Sequence, residues 1–273
     1  MTVLETLQPR EVFQYFETLA SIPRGSGNEK QAAEWVVNFA RERGLEATKD
    51  DMHCVLVRKP GQLGLENAPA LILHGHLDMV CEKDEGVVID FEKDPITLIV
   101  DGDFITADGT SLGADNGIGC SYMLALLASN DIPHPPLEAV FTAMEEKGKY
   151  GASQFDTSQL SGKRMIDFNW ITDKEILAGC SGDITFILDI PAEWEALPAT
   201  HTETRSLKVR GLLGGHCEFD IQLERANAVL VLARALTSLA ASTDARISSP
   251  FGGAQNNAIP MDAEAVRDRK SVV

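Results

Sequence analysis

The sequence lacks any long apolar run, which excludes proteins that span a membrane with helices. No segment of the 273 residues approaches the roughly 20 apolar residues that a membrane-spanning helix requires. The N-terminal stretch MTVLETLQPREVFQYFETLA carries acidic residues and no small-residue cleavage pattern, so it is not predicted to be a signal peptide. We therefore expect no membrane partner.

Basic residues and closely spaced cysteines are also scarce. A net charge of −17 arises from 41 acidic and 24 basic residues, and such a field repels the phosphates of nucleic acid. Nucleic acid is therefore not expected as a partner. The five cysteines are scattered without a CxxC pair, which indicates reduced thiols in a cytoplasmic protein. We expect these cysteines to be packing residues and not metal ligands.

Helical and strand-like patterns alternate along most of the chain. This order predicts an α/β sheet that is covered on both faces. Ser26 and Glu29 stand in capping-box positions at the start of the second helix. The predicted elements are helices near 9–20, after 26–29 and over 117–128, a hairpin over 98–109, and strands at 55–59, 70–74, 137–143, 164–168 and 184–190.

The composition changes after Pro191, which predicts a domain boundary. The segment PAEWEALPATHTET is typical of a connector, and a strand-like SLKVRG and the helical ANAVLVLARALTSLAA follow it. We place a first domain at residues 1–194 and a smaller second domain at 195–273. The last residues, AEAVRDRKSVV, predict the start of another helix.

Polar residues cluster where the predicted strands end. Alone, each cluster has a commoner structural explanation, because a single histidine is usually hydrogen-bonded and a Glu-Glu pair is usually a solvated helix start. Together they favour a functional site, because ligands of α/β sheets bind at the carboxyl ends of strands. Imidazole and carboxylate groups suit zinc and similar divalent ions. The clusters are His76 with Asp78, Asp115 with Asn116, Glu145 with Glu146, and Asp167 with Asn169.

The spacing within these clusters suggests different roles for their members. Asp78 lies two residues beyond His76, so it can point to the same side and fix the tautomer of the imidazole. A carboxylate such as that of Asp115 has two oxygens and can bridge two ions. Of two adjacent glutamates, one can bind a metal ion while the other acts as general base on a bound water.

Six segments resemble the dinuclear zinc peptidases of the aminoacylase and carboxypeptidase type, and among these the dipeptidases that cleave Xaa-His. The resemblance runs along nearly the whole chain. It implies a mixed sheet flanked by helices, followed by the start of a smaller α+β lid domain. The segments are IPRGSGNE (22–29), GHLDMVCEKD (75–84), TSLGADNGIG (110–119), IPHPPLEAVFTAMEE (132–146), GGH (214–216) and NNAIP (256–260).

The resemblance implies two divalent metal ions, zinc in the first place, with cobalt or manganese as alternatives. On this pattern His76 is a terminal ligand of one ion and Asp78 is its orienting partner. Asp115 resembles the bridging carboxylate, with a cis peptide bond to the following asparagine. Glu145 resembles the general base, and Glu146 resembles a ligand of the second ion.

The same resemblance implies the substrate and the assembly. The reaction would be hydrolysis of Xaa-His and other dipeptides through a metal-activated water. In the lid domain, His216 matches a histidine that helps to stabilise the oxyanion, and Asn257 matches a residue near the carboxylate of the substrate. A homodimer is possible.

Two departures from the family pattern keep three interpretations open. Asn169 stands where the family has an aspartate ligand, and no histidine follows His216, where the family places its last ligand. The chain is also shorter than the two-domain enzymes of the family, so a C-terminal truncation is expected. The chain could be an active metallodipeptidase, a truncated or degenerate relative without activity, or a non-catalytic binding protein that keeps the cleft and one metal ion.

Overall fold

The computed structural model forms two units, Met1–Ser181 and Gly182–Val273. It contains no described helix with the length and apolar character that crossing a membrane demands. The predicted boundary between residues 194 and 195 lies outside the described residues and stays a prediction. The structure describes residues 3–84, 86–170, 172, 174–179, 184, 186–191, 193, 196, 205–216, 220–243, 247, 249–253 and 258–266.

The first unit is built on a five-stranded mixed sheet. The helices are α1 (Arg10–Ala20), α2 (Lys30–Glu42), α3 (Ala114–Ala128) and α4 (Tyr150–Gln154). The strands are β1 (Glu46–Lys49), β2 (Val55–Lys59), β3 (Leu71–His76), β4 (Leu98–Asp101), β5 (Phe104–Ala107), β6 (Leu137–Thr142) and β7 (Arg164–Asp167). The sheet order is β1-β2-β6-β3-β7, and β4 and β5 form the separate hairpin that the sequence predicts. The predicted fold class is confirmed.

Alternation along the strands divides the core between the two faces of this sheet. Val55, Val57 and Phe141 lie in the main core, beneath side chains of α1, α2 and α3. Leu56 and Val140 point to the opposite face, which packs against the segment that follows α4. Successive side chains of a strand point to opposite faces of the sheet. The helices therefore cover one face, and the segment that follows α4 covers the other.

The second unit is a small α+β arrangement. Its elements are β8 (Ser206–Val209), β9 (Gly215–His216), α5 (Ala228–Ser242), β10 (Ser249–Gly252), β11 (Ala258–Ile259) and β12 (Ala263–Val266). Strands β10, β12 and β8 form an antiparallel sheet in that order, and β9 pairs with β11. α5 buries Ala228 and Leu232 against Ala263 and Ala265 of β12. The predicted strand SLKVRG and the predicted long helix are confirmed.

The predicted capping box at the start of α2 is wrong. α2 begins at Lys30 without a side-chain cap. The Ser26 hydroxyl instead donates to the Asp78 carboxylate, 52 residues away in sequence. The Glu29 carboxylate accepts a hydrogen bond from the backbone N–H of Met144. Tertiary contacts therefore use the two side chains that the local pattern assigned to the helix.

Two further predicted elements are also wrong. Of the run 184–190, residues 184 and 186–190 lie in no strand, and Ile187 is 85% exposed. An apolar run forms a strand only where another strand pairs with it, and the described part of the chain pairs none with this run. Ala263–Val266, predicted to begin a helix, forms β12 because β8 and β10 pair with it on both sides. These ladders outweigh the helix propensity of alanine and glutamate.

Candidate active site

Three parallel strands end at one edge of the sheet, and the predicted polar clusters follow them there. β3 pairs in parallel with both β6 and β7. The edge is fixed by a backbone hydrogen bond from Leu77 to Thr142 of 2.8 Å and by one from Phe168 to His74 of 3.1 Å. Asp115 joins this edge from the start of α3. Parallel pairing therefore gathers residues that are far apart in sequence.

His76, Asp115 and Glu146 form a group that can hold a metal ion. Each offers one ligand atom, and these atoms all lie within 4.8 Å of one another. His76 is buried at the end of β3, and its Nε2 lies 3.0 Å from Oδ1 of Asp115. Asp115 is exposed and Glu146 is half-buried, so the group opens to solvent on the carboxylate side.

The imidazole of His76 is oriented from its other nitrogen by Asp78. Nδ1 of His76 lies 3.1 Å from the carbonyl oxygen of Asp78 and 3.4 Å from its carboxylate oxygen Oδ1. Burial alone would lower the pKa of His76, but the hydrogen bonds with Asp115 and Asp78 raise that pKa to about 10. A metal ion at Nε2 must therefore displace a proton. This geometry fits the orienting role that the sequence predicts for Asp78.

The Asp78 carboxylate also connects the segment after β6 to the segment before α2. It is fully buried and accepts hydrogen bonds from the backbone N–H groups of Glu145 at 3.0 Å and Glu146 at 3.1 Å. The Ser26 hydroxyl donates a third hydrogen bond of 2.5 Å. Burial alone would raise the pKa of Asp78, but hydrogen bonds from His76, Ser26 and Glu145 lower it overall. The carboxylate is therefore charged at neutral pH.

The two adjacent glutamates are acids with raised pKa values. Burial raises the pKa of Glu145. Burial and then the nearby Asp115 carboxylate raise the pKa of Glu146 to about 7. These carboxylates repel one another around the histidine, and a divalent cation bound among them would relieve that repulsion. The oxygen and nitrogen donors of this group fit such a cation.

Asn116 connects the Asp115 segment to Asn169. Its Nδ2 donates to the carbonyl oxygen of Phe168 at 2.6 Å and to Oδ1 of Asn169 at 3.2 Å. The Asp115–Asn116 peptide bond is cis, as the resemblance implies. Asn169 therefore lies beside the residue that follows Asp115, and its role as a metal ligand stays a prediction.

The two predicted substrate-binding residues belong to the second unit. His216 lies on β9, and its backbone N–H donates to Asp220 at 2.8 Å. The Asp220 carboxylate forms an ion pair of 3.0 Å with Arg225. Asn257 lies outside the described residues. The roles of His216 and Asn257 stay predictions.

Sequence reasoning missed the part that Glu29 plays in shaping the glutamate segment. The buried Glu29 carboxylate accepts hydrogen bonds from Gly27 at 2.8 Å and from Met144 at 3.0 Å. Met144 has a φ of +52°, which is uncommon for a residue other than glycine. Glu29 thus supports the turn that presents Glu145. The available signal was its place in the segment IPRGSGNE, one of the motifs that carry the resemblance.

Comparisons with known proteins find similarity to peptidases. Residues 207–272 match a family model described as a peptidase dimerisation domain. The chain is 39% identical over 265 residues to the cytosol non-specific dipeptidase of Escherichia coli (strain K12), covering 97% of this chain and 54% of that protein.

Solved structures show the same similarity. The aminoacylhistidine dipeptidase from Vibrio alginolyticus matches with a TM-score of 0.67 and 36% identity, over 96% of this chain and 54% of that chain. A tripeptidase from Staphylococcus aureus subsp. aureus Mu50 shares the fold, with a TM-score of 0.51 and 20% identity, over 94% of this chain and 66% of that chain.

This chain spans about half the length of the two dipeptidases, since it covers 54% of each. Over that half, the alignments cover 97% and 96% of this chain. The resemblance predicted from the motifs is confirmed, because the chain is similar along nearly its whole length to the cytosol non-specific dipeptidase and to the aminoacylhistidine dipeptidase.

Proposed function

We propose that the first unit binds divalent metal ions and hydrolyses dipeptides, Xaa-His dipeptides among them. The observation that carries this proposal is the convergence of ligand atoms from His76, Asp115 and Glu146 within 4.8 Å, with Glu145 next to Glu146 in the chain. The substrate class is supported by the two relatives, a non-specific dipeptidase and an aminoacylhistidine dipeptidase.

Glu145 is the proposed general base. When bound, the divalent cations supply Lewis-acid chemistry, which polarises a peptide carbonyl and acidifies water. The pKa of Glu145 is raised by burial, and such a carboxylate can take a proton from water and deliver it to the leaving amine. The hydrogen bond from its backbone N–H to Asp78 fixes the point from which this side chain extends.

The number and kind of ions belong to the same proposal. We propose two ions: His76 and Asp115 would hold one of them, and Asp115 and Glu146 would hold the other. Zinc is the first candidate, because imidazole and carboxylate ligands suit it, and cobalt or manganese are alternatives. Asn169 is a proposed further ligand of the ion at His76. His216 and Asn257 are proposed substrate-binding residues.

The assembly, the location and the domain division are proposals as well. The match to a peptidase dimerisation domain over residues 207–272 supports a homodimer. The relative described as a cytosol dipeptidase supports a cytoplasmic location. The division into a catalytic domain at 1–194 and a partial lid domain at 195–273 is the one that the connector after Pro191 suggests.

Hydrolysis of Ala-His by the purified chain tests the proposed function. After treatment with a chelator, the chain is expected to be inactive, and added Zn²⁺, Co²⁺ or Mn²⁺ is expected to restore turnover, because the ions supply the Lewis acid. Release of free histidine is the measurement. Metal binding without turnover would favour the inactive relative, and saturable Ala-His binding without turnover would favour the binding protein.

Introducing an aspartate at position 169 is expected to strengthen metal binding. Asn169→Asp keeps an oxygen that can accept from Asn116 and adds a negative charge beside the ions. An improvement of about tenfold or more in the dissociation constant corresponds to about 1.4 kcal/mol. Competition with a chromophoric chelator measures it.

Asn130→Asp is the matched control for this substitution. It adds the same charge at an exposed position beyond the C-terminus of α3, about 20 Å from the start of that helix. Its metal affinity is expected to equal that of the wild-type chain. Equal affinity of Asn169→Asp and the wild-type chain would refute the ligand role of residue 169.

A further inference from the structure

Arg24 is buried beside the metal group, although a guanidinium is a poor metal ligand. Its side chain is 1% exposed. Nη1 donates to the carbonyl oxygens of Leu77 at 2.9 Å and Asp78 at 3.4 Å, and Nη2 donates to the carbonyl oxygen of Gly113 at 2.5 Å. The hydrogen bonds of this cation therefore go to backbone carbonyls of two separate segments.

These two segments are the ones that carry metal ligands. Leu77 and Asp78 follow His76 directly, and Gly113 precedes Asp115 by two residues. A guanidinium is planar, and its donors have a fixed geometry. One such group between the two segments sets the distance between them in a way that a flexible side chain cannot.

The backbone around Arg24 leaves space for this side chain. A Cβ atom at Gly113 would lie 2.6 Å from Nη2 of Arg24, and so would a Cβ atom at Gly117 on the first turn of α3. Gly113 also has a φ of +71°, which favours glycine. The two glycines permit the close approach of α3 to the guanidinium.

This arrangement is a costly way to fill the interior. Burial lowers the pKa of Arg24, which reports the loss of hydration around its charge. Within the described residues, its Nε finds no hydrogen-bond partner. Because a well-packed apolar side chain often stabilises such a position as well or better, stability alone is a weak reason for arginine here.

Lys59 offers a comparison at the other end of the same helix. It is 6% exposed, and its Nζ donates to the carbonyl oxygens of Leu126, at 2.9 Å, and of Ser129. α3 therefore has a buried cation on backbone carbonyls at each end, and only the one at Arg24 lies between metal-ligand segments. If both cations only held α3 in place, replacing Arg24 and replacing Lys59 would have the same effect on metal binding.

We propose that Arg24 is a positioning residue, whose guanidinium sets the separation of His76 and Asp115 for metal binding. The inference rests on the proposed function, because it assigns metal ions to that group. It goes beyond that function because it assigns a positioning role to Arg24, the arginine of the segment IPRGSGNE.

Co²⁺ binding by the chelator-treated full chain tests this proposal. Arg24→Met is expected to bind Co²⁺ about tenfold more weakly or worse, with an altered visible absorption spectrum, because the ligands lose their fixed separation. Lys59→Met removes the other buried cation and is expected to match the wild-type affinity and spectrum. Arg24→Lys is expected to fall between, since its point charge cannot bridge both segments as the fork does.

Hydrogen exchange without metal provides a second measurement. Backbone amides in residues 76–79 and 112–116 are expected to exchange faster in Arg24→Met and at wild-type rates in Lys59→Met. If Arg24→Met does not fold, Gly117→Ala replaces it, because its Cβ displaces the guanidinium while the arginine stays in the chain.

The outcomes separate this proposal from the proposed function. A folded Arg24→Met or Gly117→Ala chain with wild-type affinity, spectrum and exchange would overturn the positioning role, and so would full recovery by Arg24→Lys. A wild-type chain that binds Co²⁺ without hydrolysing Ala-His would contradict the proposed function alone. If the wild-type chain binds no Co²⁺, the proposed function fails, and the exchange rates decide on Arg24.

Discussion

Glu145→Gln is expected to slow the hydrolysis of Ala-His by about 10²- to 10⁴-fold, the usual contribution of a general base. The glutamine has nearly the same shape, but it cannot accept a proton at neutral pH. Its backbone N–H still donates to Asp78, so the turn that carries it is expected to persist. The fall is therefore expected in kcat, with KM and metal affinity close to their wild-type values.

Glu146→Gln is the matched control, because it makes the same chemical change at the next residue. Glu146 belongs to the metal group, and Glu145 is assigned to proton transfer. Glu146→Gln is therefore expected to lower metal affinity together with activity. Calorimetric titration with Zn²⁺ and steady-state kinetics on both variants distinguish the two roles. The reverse pattern, with metal affinity lost only in Glu145→Gln, would exchange the assignments.

Asp78→Asn is expected to weaken metal binding by about 10- to 100-fold, as changes to groups that orient metal ligands do. The substitution places an amide NH₂ group among the donors Ser26, Glu145 and Glu146, where the carboxylate accepted three hydrogen bonds. A buried donor left without its acceptor costs about 1–3 kcal/mol, so the metal-free chain is also expected to lose stability on this scale. Chemical denaturation and Zn²⁺ titration measure the two effects.

The position of Asp78 also fixes how its contribution depends on pH. Hydrogen bonds hold the pKa of Asp78 in the folded chain below the usual 3.8. The stabilisation of the fold by the charged carboxylate is therefore fully present above about pH 4, and it disappears as the pH falls through the pKa of the folded state. Asp78→Asn is therefore expected to lose less stability on acidification than the wild-type chain.

Asp156→Asn serves as the control for this substitution. Asp156 also accepts hydrogen bonds from a backbone N–H and a hydroxyl, both of Ser158, but it is exposed. Its replacement is expected to leave metal affinity unchanged. If Asp78→Asn behaved like Asp156→Asn in both titrations, the proposed role of Asp78 in organising the site would be wrong.

The elements that the sequence predicts well are those whose pattern is local. β2 spans Val55–Lys59, as predicted, and α1 spans Arg10–Ala20, against a prediction of 9–20. An apolar stripe at helical spacing or a short apolar run is formed by neighbouring residues alone. The run 184–190 shows the limit of that information, because a strand also requires a partner that the local sequence does not specify.

The site also combines features that a local sequence pattern predicts with contacts that need a distant partner. The sequence could predict that the histidine, aspartate and glutamate side chains lie together, because polar residues directly after apolar strands are visible in it. The motifs that carry the resemblance indicated a role for each of these residues. The contacts of Ser26, Glu29 and Arg24 could not, because each depends on a partner group 52 or more residues away. Ser26 and Glu29 match a helix cap in the sequence alone, since the glutamate follows the serine by three residues, as in a capping box.

The site is organised by contacts among its own loops, and this has a consequence for metal exchange. Backbone carbonyls on Arg24 and backbone amides on Asp78 join the ligand segments through direct hydrogen bonds. In small zinc domains, by contrast, the metal supplies most of the folding free energy, so its removal unfolds the chain. Here the sheet and these hydrogen bonds bear the cost of ordering the ligands. We therefore expect that bound ions could leave and return while the protein stays folded, and that the proposed activity would then follow the supply of divalent metal.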